Sequence, residues 1–471
     1  IYIDPPYNTG NDFVYNDSFD MTQTESNLAE GLINEFGHKY TINIKSQNRF
    51  HANWLNSIYA RLRVSRDLLS DDGVIFISID DNEITNLRKL CEEIFQEKNF
   101  IAQFVWKSKL GKVGTTSTIS SVHEYILCYA KNIDSVQFKM IETHNDGRKE
   151  NLRQWGIADR REDRPSMWYP ITINGVEVLP YKEDGEEMAL SLLADDKLEL
   201  SKKGNVYNIY RIYDAGVSVT PYDTLLLDNI GTTAKGAATL KNLGMLKIFD
   251  YSKPVELIKF FVMLSTQKDD IIMDFYSGSA TTAHAVMELN AEYNENRKWL
   301  LVQLNEKTDK KSEAYKKGYH NICEVGLERI RRAGDKIKSE HPDVDLDIGF
   351  KVFRTADTNI RWNSLIDVGQ VDIYQLEHTP DLIDFMPGAN DMDIVYEVML
   401  RQRDVALSEA MEQLTDIGSR TYLYASSYLV CLETEITEDI IVKLANLVPL
   451  PLKFIFRDSA FKDDIVLKDE T

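Results

Sequence analysis

The chain has 471 residues, with 54 Lys and Arg against 75 Asp and Glu, giving a formal charge of −21. A 43% hydrophobic and 27% charged composition excludes wholesale disorder and suits an ordinary globular protein of roughly three domains. No stretch approaches the ~18 uninterrupted apolar residues of a membrane span. So large an acidic excess argues against a general nucleic-acid coat, because neutralising phosphates takes Lys and Arg.

The acid is unevenly placed. Residues 341–471 hold 25 acidic and 11 basic side chains, about two-thirds of the net charge. The rest is only mildly acidic and has room for a local basic groove. The chain opens Ile1-Tyr2-Ile3 and not with Met, as expected of a processed or partial polypeptide, and nothing at its start resembles a signal peptide. Four scattered cysteines (Cys91, Cys128, Cys323, Cys431) form no C-x-x-C pair. They are expected to be reduced thiols serving as small core residues, in a cytoplasmic setting.

In chain order, Ile1–Asp4 reads as a short buried strand running into a Pro-Pro-Tyr turn. Apolar residues at helical spacing predict a helix over 52–69, and the turn Asp71-Asp72-Gly73 leads into a β-branched strand, Val74–Ile79. A helix over Asn82–Phe95 and strands at Phe100–Trp106 and Tyr125–Tyr129 follow. This alternation predicts a parallel-sheet α/β domain. From 135 to 228, turn signals such as Asn145-Asp146-Gly147 and Asn174-Gly175 separate short strand-like runs, Trp168–Ile173 among them, as in an inserted, mostly β module. The α/β texture then returns. Lys253-Pro254 opens a helix over Val255–Ser265, a strand at Ile271–Phe275 meets a small-residue turn and a helix from Thr281, and Trp299–Leu304 is a further strand. A helix over 320–338 carries Arg329, Arg331, Arg332, Lys336 and Lys338, and His341-Pro342 marks a boundary to the acidic region.

Two strings carry chemistry. Asp4-Pro5-Pro6-Tyr7 sits at a strand end, where open α/β sheets place their sites. An exocyclic amine is a poor nucleophile because its lone pair is delocalised into the ring. The Asp4 carboxylate and the Pro5 carbonyl, held rigid by consecutive prolines, could accept its two N–H groups and localise that lone pair. Tyr7 would offer a π-face to a base taken out of the stack. The same string would also serve as a plain Pro-rich turn. The second string, Asp274-Phe275-Tyr276-Ser277-Gly278-Ser279-Ala280-Thr281-Thr282, joins strand to helix and would bring backbone N–H groups close to a ligand. By itself it could be only a tight connection.

Taken together, these strings resemble the DNA amino-methyltransferases in which the catalytic motif precedes the cofactor motif. The chain looks most like the modification subunit of type III restriction–modification systems. Supporting stretches include Leu69–Glu83, His123-Glu124-Tyr125-Ile126-Leu127, Arg164–Pro170, Asp228–Thr232, Phe249–Lys259 and Phe456–Phe461. The resemblance implies an α/β, Rossmann-like S-adenosylmethionine-dependent methyltransferase fold with permuted motif order, an inserted mostly β recognition region and a C-terminal α+β domain. It implies methyl transfer from S-adenosyl-L-methionine to adenine N6 in double-stranded DNA, a homodimer, and a separate restriction (helicase/nuclease) subunit. Asp4, Pro5, Pro6 and Tyr7 would form the target-amine site. Asp274, Phe275, Tyr276, Ser277 and Gly278 would line the cofactor, with Lys253 and Pro254 beside it. Gln303 stands where the family's acidic ribose ligand is expected, with Glu306 three residues on, and Ala280 replaces a frequent Gly.

On this reading residues 1–134 and 229–338 form one discontinuous catalytic domain, 135–228 the recognition insert, and 341–471 a partner-binding or dimerisation domain. Arg148, Lys149, Arg153, Arg160, Arg161 and Arg164, interleaved with Trp155 and Trp168, make the insert a DNA-binding candidate, although acidic neighbours also suit a solvated loop. Lys107, Lys109, Lys112 and the basic helix are further phosphate candidates, although the helix more readily suits a solvated face. No cysteine follows a proline, which excludes the Pro-Cys nucleophile of cytosine-C5 methylation. Gly231-Thr232-Thr233-Ala234-Lys235-Gly236 mimics a P-loop but continues Ala237-Ala238 in place of Lys-Ser/Thr, so ATP hydrolysis would belong to another subunit. No metal site is expected from Asp80, Asp81 and Glu83, which suit an acidic strand-end turn. Cytosine-N4 methylation and a catalytically silent recognition scaffold are the alternatives.

Overall fold

The computed structural model describes residues 1–9, 50–111, 119–145, 147–152, 169–178, 185–203, 206–214, 216–227, 230–249, 251–361, 381–462 and 465–470. The chain divides into two compact units, Ile1–Ile348 and Gly349–Thr471. The division falls several residues beyond His341 because Leu346 is buried and Ile348 packs against Gly334 of the preceding helix.

A five-stranded sheet organises the first unit. Strands β1 (Tyr2–Ile3), β2 (Val74–Ile79), β4 (Glu124–Ala130), β3 (Phe100–Trp106) and β12 (Leu225–Leu226) lie side by side in that order. The pairs β1–β2 and β3–β12 are parallel, whereas β4 is antiparallel to both neighbours. The sheet is therefore mixed where a parallel one was expected. Consecutive β3 and β4 pair directly, which an antiparallel connection permits without a crossover helix. A second parallel pair, β13 (Ile271–Asp274) with β14 (Lys298–Leu301), packs beside β1.

All six side chains of β2 are buried. Their alternation divides them between two cores. Val74 and Phe76 face α5 (Val255–Ser265) and α6 (Thr281–Tyr293), where Phe261 meets Phe76 at 4.5 Å between ring centroids. Ile75, Ile77 and Ile79 face α1 (Phe50–Leu68) and α2 (Ile84–Phe95). Trp54, Ile58 and Leu62 recur every fourth residue of α1 and form its buried stripe. The result is three layers, helices on both faces of a sheet. Cys91 and Cys128 are fully buried thiols within these cores, and none of the four cysteines is disulfide-bonded.

The direction of the strands positions the site. Because β1, β2 and β3 run one way and β4 the other, the ends of β1, β2 and β3 and the start of β4 share one edge of the sheet. Asp4, Asp80, Lys107 and Glu124 therefore belong to that edge.

The described residues of the 135–228 segment are mostly β. Strands β5 (Ile141–Asn145) and β11 (Gly216–Thr220) pair antiparallel, and β6 (Arg148–Asn151), β10 (Val206–Tyr213) and β9 (Leu198–Lys203) form a second antiparallel sheet. Strands β7 (Ile171–Ile173) and β8 (Val176–Val178) form a hairpin through Asn174-Gly175, both at positive φ. That is the Asn-Gly turn the sequence announces. Helix α3 (Gly185–Ala194) contributes Ala189 and Leu192 to its small core.

After it, the pseudo-P-loop proves to be the entry to α4 (Thr233–Asn242). A Cβ on Gly236 would stand 2.1 Å from the Ser252 carbonyl, so glycine permits the helix to press against the 252–253 backbone. Helix α7 (Glu313–Lys316) and the long α8 (Ile322–Glu340) complete the unit.

The second unit, considered alone, is α+β. Strands β15 (Met411–Gln413), β16 (Thr421–Tyr424), β17 (Tyr428–Cys431) and β18 (Lys453–Phe456) form one sheet, with α9 (Asp381–Asp384), α10 (Asp391–Gln402), α11 (Glu438–Ala445) and α12 (Ile465–Glu470) among the helices. Arg420 and Arg457 bind Asp381, Asp384 and Asp391, a network that fastens α9 and α10 to the strands. No helix among the described residues is long and apolar enough to cross a membrane.

Gly236→Ala is expected to cost about 1–3 kcal/mol, the range for overpacking a close contact. A thermal melt of the purified variant checks it, and an unchanged midpoint would mean that the α4 contact yields freely.

Candidate active site

The two strings, 270 residues apart, meet at one cleft. Asp4, Lys253, Asp274, Tyr276, Ser277, Gly278 and Gln303 all line a cavity of about 190 Å³. Phe275 and Pro254 do not line it. Phe275 packs with the Ile3 core, while Pro254 is the N-cap of α5. Pro5, Pro6 and Tyr7 continue the chain beyond the rim.

Lys253 is the hub. Its ammonium donates to Tyr7 Oη at 2.7 Å and Glu124 Oε2 at 2.9 Å, and lies 3.2 Å from Asp4 Oδ1. Tyr7 Oη in turn donates to Glu124 Oε2 at 3.0 Å. The Tyr7 and Trp106 rings lie 4.9 and 5.5 Å from the ammonium, within cation–π range. Lys253 and Glu124 are almost wholly buried, whereas Asp4 keeps a 28% exposed edge.

The Asp4 contact is an ion pair through the enclosed Oδ1, while the rest of the carboxylate keeps the exposed edge. Desolvation by the surrounding protein raises the Asp4 pKa, Lys253 opposes this, and Glu124 adds to it. Burial also disfavours the Glu124 carboxylate, but the Lys253 charge and the hydrogen bonds from Lys253 and Tyr7 together hold it below the usual range. Lys253 loses by burial and gains more from Asp4 and Glu124, and so stays firmly protonated.

The turn after Asp4 is clamped from the other core. Trp54 Nε1 donates to the Pro6 carbonyl at 2.7 Å, and Asn8, at a φ of 56°, donates to Glu83 at 2.6 Å. Asn tolerates the left-handed region better than most residues. Glu83 thus supports the motif. Asp80 receives Asn82, and Asp81 receives the Tyr125 hydroxyl at 2.9 Å. Among the described residues no group of three or more His, Cys, Asp or Glu is arranged to hold a metal.

The small-residue turn is equally fixed. Asp274 accepts from the Tyr276 amide at 2.9 Å and from Thr282 at 2.6 Å. Burial raises its pKa to about 7. Gly278 has a φ of 47°, and a Cβ there would meet the Phe249 ring at 3.3 Å. Ala280 lies in the left-handed region at 60°, so its strain accompanies the Gly-to-Ala departure noted in the sequence. Gln303 accepts from the Gly278 amide at 2.7 Å. Its side-chain carbonyl therefore braces the turn.

Three residues escaped the sequence reading. Glu124 stands in a quoted stretch but received no role. Ser252 precedes Lys253 and lines the cleft. Arg329, read as a phosphate candidate or a solvated face, is neither: it is fully buried. It belongs to the apolar stripe Val325, Ile330, Ala333 and Ile337 of α8, while Arg331, Arg332 and Lys336 pair with Glu328 and Glu340. Arg148 pairs with Glu150 at 3.2 Å and stacks on Tyr213, and Lys149 pairs with Glu199. Lys107 and Lys109 follow β3 at the site's edge of the sheet, Lys109 exposed. Lys112, Arg153, Arg160, Arg161 and Arg164 lie outside the described residues.

Two outcomes test this electrostatic arrangement. Glu124→Gln removes a charge that raises the Asp4 pKa and leaves Lys253 more fully to Asp4. The acid limb of the pH–activity profile is therefore expected to move to lower pH, with stability reduced by about 1–3 kcal/mol. An unmoved limb would detach Glu124 from Asp4. Asp274 is a carboxyl whose folded-state pKa lies above its unfolded value, so its ionisation opposes folding as pH rises from about 4 through 7. In Asp274→Asn, melts recorded between pH 5 and 8 are expected to lose that downward slope.

A family model described as DNA methylase matches residues 1–323. The chain is 34% identical to the type III restriction-modification enzyme EcoPI Mod subunit of Escherichia phage P1, over 76% of this chain and 62% of that one. It is also 34% identical to the StyLTI Mod subunit of Salmonella typhimurium, over 76% of this chain and 56% of that one. It therefore spans less than two-thirds of these two relatives. With the type II methyltransferase M.KpnI of Klebsiella pneumoniae it shares 30% identity, over 71% of this chain and 82% of that one. The chain belongs to the DNA methylase family.

Proposed function

We propose that this chain is a site-specific DNA methyltransferase that transfers a methyl group from S-adenosyl-L-methionine to adenine N6, as the modification subunit of a type III restriction–modification system. The observation that carries the reading is the convergence of Asp4 and the Gly278 turn on one cleft, with the part-exposed Asp4 carboxylate held there by Lys253.

The cleft suits the cofactor. The Ser277–Thr282 turn supplies hydroxyls and a close backbone, the α6 N-terminus has no side-chain cap, and Tyr276 adds an aromatic wall. When bound, the cofactor supplies an electrophilic methyl on a sulfonium. Asp4 orients the target amine by accepting an N–H, which localises the nitrogen lone pair. Its raised pKa makes it a better acceptor for the proton the amine sheds than an exposed carboxylate would be. Lys253 fixes the Asp4 carboxylate and ties Tyr7 to Glu124, so the Pro-Pro turn presents one geometry. A base must leave the DNA stack to reach this edge.

The names of the two Mod relatives support the type III assignment and a separate restriction subunit. We read 135–228 as the target-recognition region, with Arg148, Arg153, Arg160, Arg161, Arg164, Lys107 and Lys109 approaching DNA. The acidic 341–471 region faces protein partners, including a second copy, and the setting is the cytoplasm.

Asp4→Ala is expected to lower methyl transfer to duplex DNA by at least ~10²-fold while cofactor binding persists. Full activity of that variant sinks the assignment. Mass analysis of digested product should show N6-methyladenine. N4-methylcytosine would shift the reading to cytosine, and cofactor binding with no product would leave a recognition scaffold.

A further inference from the structure

Arg329 is a buried cation with no ion-pair partner among the described residues. Its side chain is wholly enclosed, and its Nε and Nη2 atoms have no hydrogen-bond partner among those residues. The nearby acid Glu288 is already engaged by His284 at 3.1 Å and Lys259 at 3.2 Å. An uncompensated buried charge is costly, so its persistence calls for an anion that the protein itself does not supply.

Nη1 links the guanidinium to the wall of the cleft. It donates to Ser252 Oγ and Ser279 Oγ at 2.8 Å, to Thr281 Oγ1 at 2.7 Å, and more distantly to the Ser279 carbonyl at 3.4 Å. Ser252, Ser279 and Thr281 all line the cleft, so the guanidinium stands one layer of hydroxyls behind its wall. Arginine only donates. Its two Nη1 hydrogens are shared among the three oxygens, whose own hydrogens must find acceptors elsewhere, Ser252 Oγ reaching only the Lys253 carbonyl at 3.3 Å. Among themselves they offer one another only long contacts of 3.2–3.4 Å, against about 2.7–2.8 Å for a well-formed O–H···O bond. A set of underused hydroxyl donors backed by a positive charge is a receptor for an oxyanion.

We propose that Arg329, acting through Ser252, Ser279 and Thr281, is the positioning residue for the carboxylate of the cofactor's amino-acid tail. The inference rests on the cofactor reading above and adds the residue that stands behind this wall. Arg329 need not touch the cofactor. It orients the hydroxyls and supplies their positive background, and the bound carboxylate returns the missing negative charge. Lys253 is unsuited to the task, since Asp4, Glu124 and Tyr7 already engage its ammonium.

Calorimetric titration of the full chain with two ligands tests this: S-adenosyl-L-methionine, and its decarboxylated analogue, which keeps the adenosine, sulfonium and amine. Arg329→Met is expected to weaken S-adenosyl-L-methionine about 10- to 100-fold, the range for a lost charged hydrogen-bond partner, while the analogue binds within about 2-fold of wild type. Should Arg329→Met fail to fold by circular dichroism, Ser279→Ala carries the same comparison, with a loss of about 3- to 10-fold for the carboxylated ligand alone. Equal weakening of both ligands, or of neither, overturns the proposal and makes Arg329 a packing residue. If wild type binds neither ligand, the cofactor reading itself falls.

Discussion

A single buried ammonium holds the two halves of the candidate site together. Lys253 comes from the approach to α5 and Asp4 from the end of β1, some 250 residues earlier, and Glu124 meets them from the start of β4. Burying these charges is expensive unless each finds a partner. The partners exist only when the sheet is correctly registered and α5 lies on its proper face. The ion cluster is therefore a condition on the fold as well as a feature of the site. Truncating any one member would strand the others in a low-dielectric edge, which is costlier than never having placed them there.

The rest of the site is built to spare that cluster from movement. Trp54 and Asn8 clamp the Pro-Pro turn from one core, and Gly236 admits α4 against the backbone of Ser252 and Lys253 from the other. Asp274, Thr282 and Gln303 do the same for the small-residue turn. The candidate site residues are thus carried by strand ends and short turns, while the layers behind them hold those turns still. Such preorganisation suits a site that must bind a substrate in one orientation.

Local chemistry was legible in the residues themselves, whereas the convergence of the two strings followed only from the family resemblance. Pro5, Pro6 and Gly278 restrict or free their own backbone, so their strings announce turns, and the β-branched run Val74–Ile79 announces a strand. Glu124 gave only a faint signal, a carboxylate opening an otherwise apolar strand, because its meaning depends on β4 running against β1. That antiparallel pairing was itself misread, since alternating helices and strands suggest crossovers even where one hairpin intervenes. Arg329 carried a clearer signal that composition obscured. Counted as one of several basic residues it looked like surface, but its four-residue spacing from Val325 and Ala333 puts it on the apolar stripe.

The way the 135–228 segment leaves and rejoins the catalytic layers has its own consequence. It departs after β4 and returns before β12, and β5 and β11 pair at its base as a two-stranded stem. Tyr222 then rests on Phe260 and fixes the return point. Everything beyond the stem hangs from two adjacent anchor points, so closing that loop costs the host nearly the same whatever its length or contents. On the proposed assignment of this segment to target recognition, specificity and catalysis can then drift at different rates along one polypeptide. The stem acts as a graft union, across which a new head can be joined without disturbing the stock.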